Sequence, residues 1–125
     1  MSDLALRIIR GATTTSANTK EAIQESSEEL ARELIKVNNI NPEDIAMFFI
    51  TMTDDLTALN ASSAIRSAVK WEHVPFFTAQ EPNIDGMLPF CIRVSVQYNT
   101  TKAQDEIKHV YLREAAKLRP DLSKN

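Results

Sequence analysis

The chain has 125 residues, 43% of them hydrophobic, which predicts one domain over residues 1–125 with a single compact core. Its 14 Lys and Arg residues against 17 Asp and Glu give a net charge of −3, so there is no basic excess suited to nucleic acid. With one cysteine, no long apolar run and no metal-ligand spacing, we expect a cytoplasmic protein without a disulfide, structural zinc or membrane partner.

A strand and a long helix are predicted at the beginning of the chain. Residues 4–10 form a candidate strand that ends at Gly11, which leaves Arg10 at a strand end, where clefts often lie. Asn18 or Thr19 can cap the helix, which should end at residues 38–39. Its inward face is predicted from residues at helical spacing, namely Ile23, Ser26, Ser27, Leu30, Leu34 and Val37.

The middle of the chain predicts a short turn at residues 41–44, then a buried strand at residues 46–52. Asn60 can cap a short helix over residues 61–69. A further strand over residues 73–78 contains a proline, which confines it to a sheet edge or bulge.

Residues 90–98 predict a strand with an arginine among apolar neighbours. Because strand side chains alternate between faces, Arg93 should lie opposite Ile92 and Val94, in a polar cleft. A partly buried charge requires an anionic or hydrogen-bonding partner, so something negative is expected there. An ordinary edge arginine paired with a surface carboxylate remains open from this segment alone.

The last part of the chain is less regular. Residues 103–107 predict a turn of helix and residues 109–112 a strand, whereas residues 113–118 are ambiguous between strand and helix. The Pro at position 120 should end that segment in either case.

Six different short motifs follow one another along the chain in a characteristic order and spacing. They are Arg10-Gly11-Ala12-Thr13-Thr14, Thr53-Asp54-Asp55-Leu56, Gln80-Glu81, Cys91-Ile92-Arg93-Val94, His109-Val110-Tyr111-Leu112 and Leu118-Arg119-Pro120-Asp121-Leu122. Together they resemble the monofunctional chorismate mutases of the AroH class, the trimeric bacillus type, over nearly the whole chain.

The resemblance implies an α+β subunit with a mixed five-stranded sheet and one long helix. It implies a homotrimer arranged as a pseudo-α/β barrel, with active sites between subunits. The implied reaction is the pericyclic rearrangement of chorismate to prephenate in Phe and Tyr biosynthesis, which uses no cofactor.

The resemblance also implies roles for individual residues. Arg93 corresponds to the arginine that meets the ether oxygen and a substrate carboxylate, and Arg10 and Tyr111 to residues that bind the side-chain carboxylate. Glu81 corresponds to the acceptor of the ring hydroxyl, helped by the backbone of Thr78. The remaining implied positions are Phe76 and Phe77 at the pocket wall, and Leu118 and Arg119 in the segment that closes over the site.

The chain departs from the family pattern at the short helix. Asn60-Ala61-Ser62-Ser63 stands where many relatives have an aromatic-Pro-Ala-Lys or -Glu run, and Thr78 stands where cysteine is common. Ser63 in place of lysine removes a positive charge, which should raise KM without abolishing turnover. Arg66 is an accessory candidate for partial compensation.

Two other functions remain open at this point. The altered residues 60–63 would also suit a non-catalytic trimeric ligand-binding paralogue. The enamine/imine deaminase family has a similar architecture, but the chain has only two glycines and lacks its motifs.

Overall fold

The computed structural model describes residues 3–119, which form a mixed five-stranded sheet with helices on one face. The strands are β1 (Ala5–Thr14), β2 (Ile45–Met52), β3 (Phe76–Gln80), β4 (Cys91–Thr100) and β5 (Val110–Tyr111), and the helices are α1 (Lys20–Asn38) and α2 (Ala61–Val69). Short 3₁₀ turns cover Pro42–Asp44, Gln104–Glu106 and Arg113–Lys117. The predicted α+β fold with one long helix is confirmed.

The strand order is β3-β2-β4-β1-β5. β4 lies in the centre and pairs antiparallel with both β1 and β2, whereas β3 and β5 extend the sheet as parallel edge strands. The connection between β2 and β3 contains α2, as a parallel pairing requires a crossover.

Both helices cover the same face of the sheet, and the core lies between the two layers. On β4, Ile92, Val94, Val96 and Tyr98 are buried against the helices, which confirms the predicted alternation, and Cys91 at the start of the strand is also buried. Gly11 on β1 makes close packing possible, because an added Cβ would lie 3.1 Å from Val94 Cγ2 and 3.3 Å from Leu34 Cδ2. Removing this apolar surface from water supplies the main driving force for folding.

The opposite face of the sheet, which we call the open face, has no helix over it in the described chain. It exposes the apolar side chains of Leu6 (54%), Ile8 (47%) and Phe77 (58%). Arg10 and Arg93 are exposed on the same face.

The helix ends follow the capping rules. Thr19 accepts a hydrogen bond from the Ala22 N–H, and Asn39 ends α1 in the left-handed conformation at φ 51°. Asn60 caps α2 by accepting from the Ser62 N–H. Asn18 instead binds the loop before α2, where its Oδ1 accepts the N–H groups of Thr57 and Ala58 at 2.9 Å.

Several predicted boundaries were wrong. β1 does not end at Gly11 but continues to Thr14, because β-branched threonines suit a strand and residues 12–14 pair with residues 91–93. β3 begins only after Pro75, which has no N–H to donate, and β4 begins at Cys91 and runs to Thr100. β5 is confined to Val110 and Tyr111.

The ambiguous residues 113–118 form a 3₁₀ turn. Arg113 begins it with φ 53° and donates to Glu29 Oε1 at 3.0 Å, with Glu25 Oε1 at 3.4 Å. These ion pairs hold the segment against α1. The expected stop at position 120 lies outside the described residues.

Candidate active site

Two rows of residues cross the open face from strand to strand, because directly paired residues share a face. The first row is Tyr111, Ala12, Arg93, Thr51 and Ala79. The second row is Arg10, Ser95, Phe49 and Phe77. The sheet register thus brings together residues that are up to 101 positions apart in the sequence, as between Arg10 and Tyr111.

Six members of these rows line a cleft of about 370 Å³, namely Arg10, Phe49, Thr51, Arg93, Ser95 and Tyr111. Its polar side chains are Arg10, Thr51, Glu81, Arg93, Ser95 and Tyr111. Ala12 separates Tyr111 from Arg93 in the first row. The cleft therefore combines two guanidinium groups, a phenol and one carboxylate.

Arg93 and Glu81 form an ion pair in this cleft. Arg93 Nε donates to Glu81 Oε1 at 2.9 Å, and Thr51 Oγ1 donates to the same oxygen at 2.5 Å. The Glu81 side chain is only 11% exposed, whereas that of Arg93 is 49% exposed. Because the ion pair engages Nε, it fixes the guanidinium without using its two terminal amino groups.

The pair also sets the ionisation of both groups. Burial acts to raise the pKa of Glu81, but hydrogen bonds from Thr51 and Arg93 and the charge of Arg93 outweigh it and lower that pKa below 4.5. The hydrogen bond to Glu81 raises the pKa of Arg93 above its usual value, against the opposing effect of burial. At neutral pH the cleft therefore holds a carboxylate and a fixed cation.

The pairing of β1 with the edge strand β5 positions Arg10 and Tyr111. Parallel pairing joins Gly11 with Val110 and Ala12 with Tyr111, and the Leu112 N–H donates to the Ala12 carbonyl at 2.9 Å. The Arg10 backbone N–H donates to His109 Nδ1 at 2.9 Å. β5 is thus short but firmly attached to β1.

A second group of residues lies away from this cleft, at the junction of α2 and β3. We call it the α2–β3 edge, and it comprises Asn60, Ser62, Ser63, Arg66, Phe76 and Thr78. Thr78 Oγ1 hydrogen-bonds to Ser62 Oγ and donates to Asn60 Oδ1 at 3.1 Å. Arg66 lies over the Phe76 ring at 5.2 Å, and Phe76 stacks on Phe48.

The alternation of β3 explains this separation. Phe77 lies on the open face, where its ring stacks on Phe49 with 5.7 Å between centroids. Its neighbours Phe76 and Thr78 lie on the helix side. Of the predicted site residues, one chain brings together Arg10, Glu81, Arg93 and Tyr111, but not those of the α2–β3 edge.

The C-terminal site candidates, Leu118 and Arg119, are not among the residues that line this cleft. Leu118 lines a neighbouring cleft of about 280 Å³ that shares Glu81 and Arg93 with the first. The charge of Arg119 acts on His109. Among residues 3–119 no group of three His, Cys, Asp or Glu side chains is arranged to hold a metal ion, and no helix there is long and apolar enough to span a membrane.

Comparisons with known proteins identify the family of this chain. The family model for chorismate mutase type I matches residues 6–122. The chorismate mutase AroH of Bacillus subtilis (strain 168) is 39% identical over 120 residues, covering 96% of this chain and 94% of its own length. The chorismate mutase AroH of Thermus thermophilus is 42% identical over 118 residues, covering 94% and 96%. The chain belongs to the chorismate mutase type I family.

A solved member of this family has the same fold. The chorismate mutase from Clostridium thermocellum superposes with a TM-score of 0.83 at 37% identity, covering 86% of this chain and 96% of that one. The predicted family is therefore confirmed, and with it the prediction of an isomerase of the chorismate mutase type.

The sequence did not indicate several residues that the structure places in or beside the cleft of this chorismate mutase. Thr51 was placed in a buried apolar strand, although it shares a face with Phe49 and binds Glu81. Ser95, which lines the cleft, was also not assigned to the site, nor was His109, which accepts a hydrogen bond from the Arg10 backbone outside the cleft. The available signal was the alternation of β2, in which every second residue from Met47 turns away from the helices.

Proposed function

We propose that this chain converts chorismate to prephenate by a pericyclic rearrangement, as the step of aromatic amino-acid biosynthesis that leads to Phe and Tyr. The observation that carries the proposal is the fixed Arg93–Glu81 pair inside a cleft that also holds Arg10 and Tyr111. Family membership supports the same reaction.

The chemistry of the reaction matches the charges in the cleft. Chorismate carries two carboxylates and an ether oxygen that gains negative charge as its C–O bond breaks. Arg93 is the donor to this oxygen, because its guanidinium is already held by Glu81 and needs no reorganisation when the charge develops. Only stabilisation that is stronger in the transition state than in the ground state increases the rate of the chemical step.

The other groups hold the substrate in its reactive shape. Arg10 and Tyr111 bind the side-chain carboxylate of the substrate. The Glu81 carboxylate accepts a hydrogen bond from the ring hydroxyl while it also holds Arg93. Holding the two reacting ends in contact contributes through proximity rather than through covalent chemistry. Leu118 and Arg119 close the C-terminal segment over the bound substrate, and no cofactor takes part.

A second copy of the chain completes the site in this proposal. The α2–β3 edge carries Asn60, Ser63, Arg66, Phe76 and Thr78, which do not line the cleft of their own chain. The exposed apolar side chains of Leu6, Ile8 and Phe77 give the open face a surface suited to subunit association. We propose a homotrimer in which the α2–β3 edge of one subunit faces the cleft of the next.

The direct test is the loss of chorismate ultraviolet absorbance with purified protein, with the product identified as prephenate and Arg93→Ala measured beside it. Turnover that disappears in the variant supports both the activity and the role of Arg93. A folded protein that binds a bicyclic transition-state analogue without turnover would overturn the proposal in favour of the ligand-binding paralogue.

A further inference from the structure

The imidazole of His109 takes the place of a main-chain acceptor at the end of a short strand. β5 pairs only with Gly11 and Ala12 of β1. The next N–H along β1 in the N-terminal direction, that of Arg10, donates to His109 Nδ1 at 2.9 Å instead. The ring therefore extends the β1–β5 pairing by one residue, to the residue whose side chain lines the cleft.

This hydrogen bond requires one protonation state. Nδ1 accepts a proton only when it carries none, so the ring is neutral with its proton on Nε2. Protonation would turn Nδ1 into a donor facing another donor. The bond to Arg10 therefore exists only above the pKa of His109.

The position of His109 is itself fixed by a buried amide. Asn38, at the end of α1 and 2% exposed, donates to the Lys108 carbonyl at 2.8 Å and accepts the Lys108 N–H at 3.0 Å. Since Lys108 precedes His109, the core of the protein anchors the ring beside Arg10.

The groups around His109 carry positive charge. Arg7 and Arg10 of β1 line a depression of about 460 Å³ with His109 and Gln104, and none of its lining residues is acidic. The charge of Arg119, beyond the last 3₁₀ turn, also acts on the ring. Burial first, and then the charges of Arg10 and Arg119, lower the pKa of His109 below 6.5.

We propose that His109 is a positioning residue for Arg10, in that its neutral ring fixes the Arg10 backbone so that the guanidinium meets a substrate carboxylate. This inference rests on the proposed function of Arg10. It predicts that substrate affinity falls as the pH falls through the pKa of His109, while the rearrangement step, which depends on Arg93, changes little. Glu81 stays ionised over that range because its pKa lies below 4.5.

Replacing the ring tests the proposal through KM and its pH dependence. His109→Asn places an amide oxygen where Nδ1 stands and cannot titrate, so its KM should stay close to wild type and flat between pH 5 and 7. His109→Leu removes the acceptor and should raise KM about three- to tenfold at pH 7 with little change in kcat, the size of one hydrogen bond. If the leucine variant fails to fold, His109→Gln replaces it, because its amide reaches the Nε2 place and leaves Nδ1 empty.

The control is His73→Leu, since His73 is exposed and lines a different depression together with Pro42 and Trp71. It should leave KM and the pH profile unchanged. Wild-type values of KM and an unaltered pH profile in His109→Leu would overturn the proposal.

A second readout does not depend on turnover. In a ¹⁵N NMR titration of the wild type, Nδ1 of His109 should show the shift of an unprotonated nitrogen at pH 7, and the Arg10 amide should move with the His109 titration. A protonated Nδ1 at pH 7 would overturn the inference. An enzyme that fails to turn over chorismate, with the Arg10 amide still following His109, would count against the proposed function and not against this hydrogen bond.

Discussion

Arg93 is held by a bond to its Nε, which a lysine does not have. Arg93→Lys would keep the charge but lose the forked geometry that both binds Glu81 and presents further donors. We expect kcat to fall at least 100-fold, since removing one preorganised donor costs about 2.7–4 kcal/mol. Steady-state kinetics on a variant with wild-type circular dichroism provides the measurement, and a near-normal kcat would contradict the electrostatic role.

Glu81 links the cleft to stability through its lowered pKa. A carboxylate whose pKa is lower in the folded state stabilises the fold above its unfolded pKa, and this contribution is lost as the pH falls through the folded value. Glu81→Gln should therefore lower the free energy of unfolding by about 1 kcal/mol at pH 7. The difference from wild type should largely disappear near pH 3.

Urea unfolding at several pH values and one protein concentration measures this effect. Glu28→Gln serves as the control, because it removes a surface pair with Arg32 that should contribute less than about 0.5 kcal/mol. An equal loss for Glu81→Gln at pH 3 and pH 7 would show that packing, rather than charge, is responsible.

At the scale of elements, Gly11 determines how closely β1 approaches its neighbours. A Cβ there would lie 3.1 Å from both the Val110 carbonyl oxygen and Val94 Cγ2. Gly11→Ala should cost about 1–3 kcal/mol because one of these contacts must move apart. Hydrogen exchange of the β5 amides should become faster.

Gly86→Ala is the matched comparison for this change. Its added methyl group meets nothing within 4 Å, and its cost comes only from the backbone at φ 86°. The β5 amides should then keep their wild-type exchange rates, and faster exchange in both variants would refute the packing explanation.

Asn38 fastens α1 to the segment before β5. Asn38→Leu would leave the Lys108 N–H and carbonyl without their side-chain partner and should lower the free energy of unfolding by about 2–3 kcal/mol. Its neighbour Asn39 is the control, since it has φ 51° and Asn39→Gly suits that conformation. Thermal unfolding should show a clear loss for the first variant and little change for the second.

The elements that could be predicted from the sequence are those specified locally. Caps at Thr19 and Asn60 and the alternation along β4 depend on residues close together in the chain. The extension of β1 through Thr14 was missed because threonine suits loops as well as strands, and pairing with β4 decides between them. Arg113 has a positive φ, and ion pairs to α1 stabilise this conformation. No local sequence pattern indicates these long-range pairs.

The candidate site divides in the same way. The resemblance assigned Arg10, Glu81, Arg93 and Tyr111 as site residues, and the structure places all of them in one cleft. It could not indicate Thr51, whose hydroxyl bond to Glu81 depends on the register between β2 and β4. Their catalytic roles remain predictions.

At the scale of the whole molecule, the proposed trimer gives Ser63 a role in a neighbouring cleft. Ser63 is exposed in the first turn of α2, where either charge can be introduced without disturbing the core. Ser63→Lys should lower KM for the dianionic substrate several-fold and Ser63→Glu should raise it, with kcat little changed and both effects weaker at high salt. Identical KM values for the two variants would remove residue 63 from the site.

Mixing subunits tests whether the site is shared between copies. Arg93→Ala damages the cleft, and Ser63→Glu damages the α2–β3 edge. When the two are unfolded and refolded together in equal amounts, about one quarter of sites should combine two intact halves. Activity at low substrate concentration should then exceed the mean of the two variants measured alone, and activity equal to that mean would place both halves in one subunit.

Cys91 opens β4 two residues before Arg93, and it is 4% exposed. Burial, partly offset by the charge of Arg93, raises the pKa of its thiol to about 11. Since the thiolate is the reactive form, on the order of one thiol in 10⁴ is ionised at pH 7. Alkylating reagents should therefore modify the native protein only when the end of β4 detaches from Thr14. The rate of modification then measures how often this strand end opens, and a bound transition-state analogue should lower that rate.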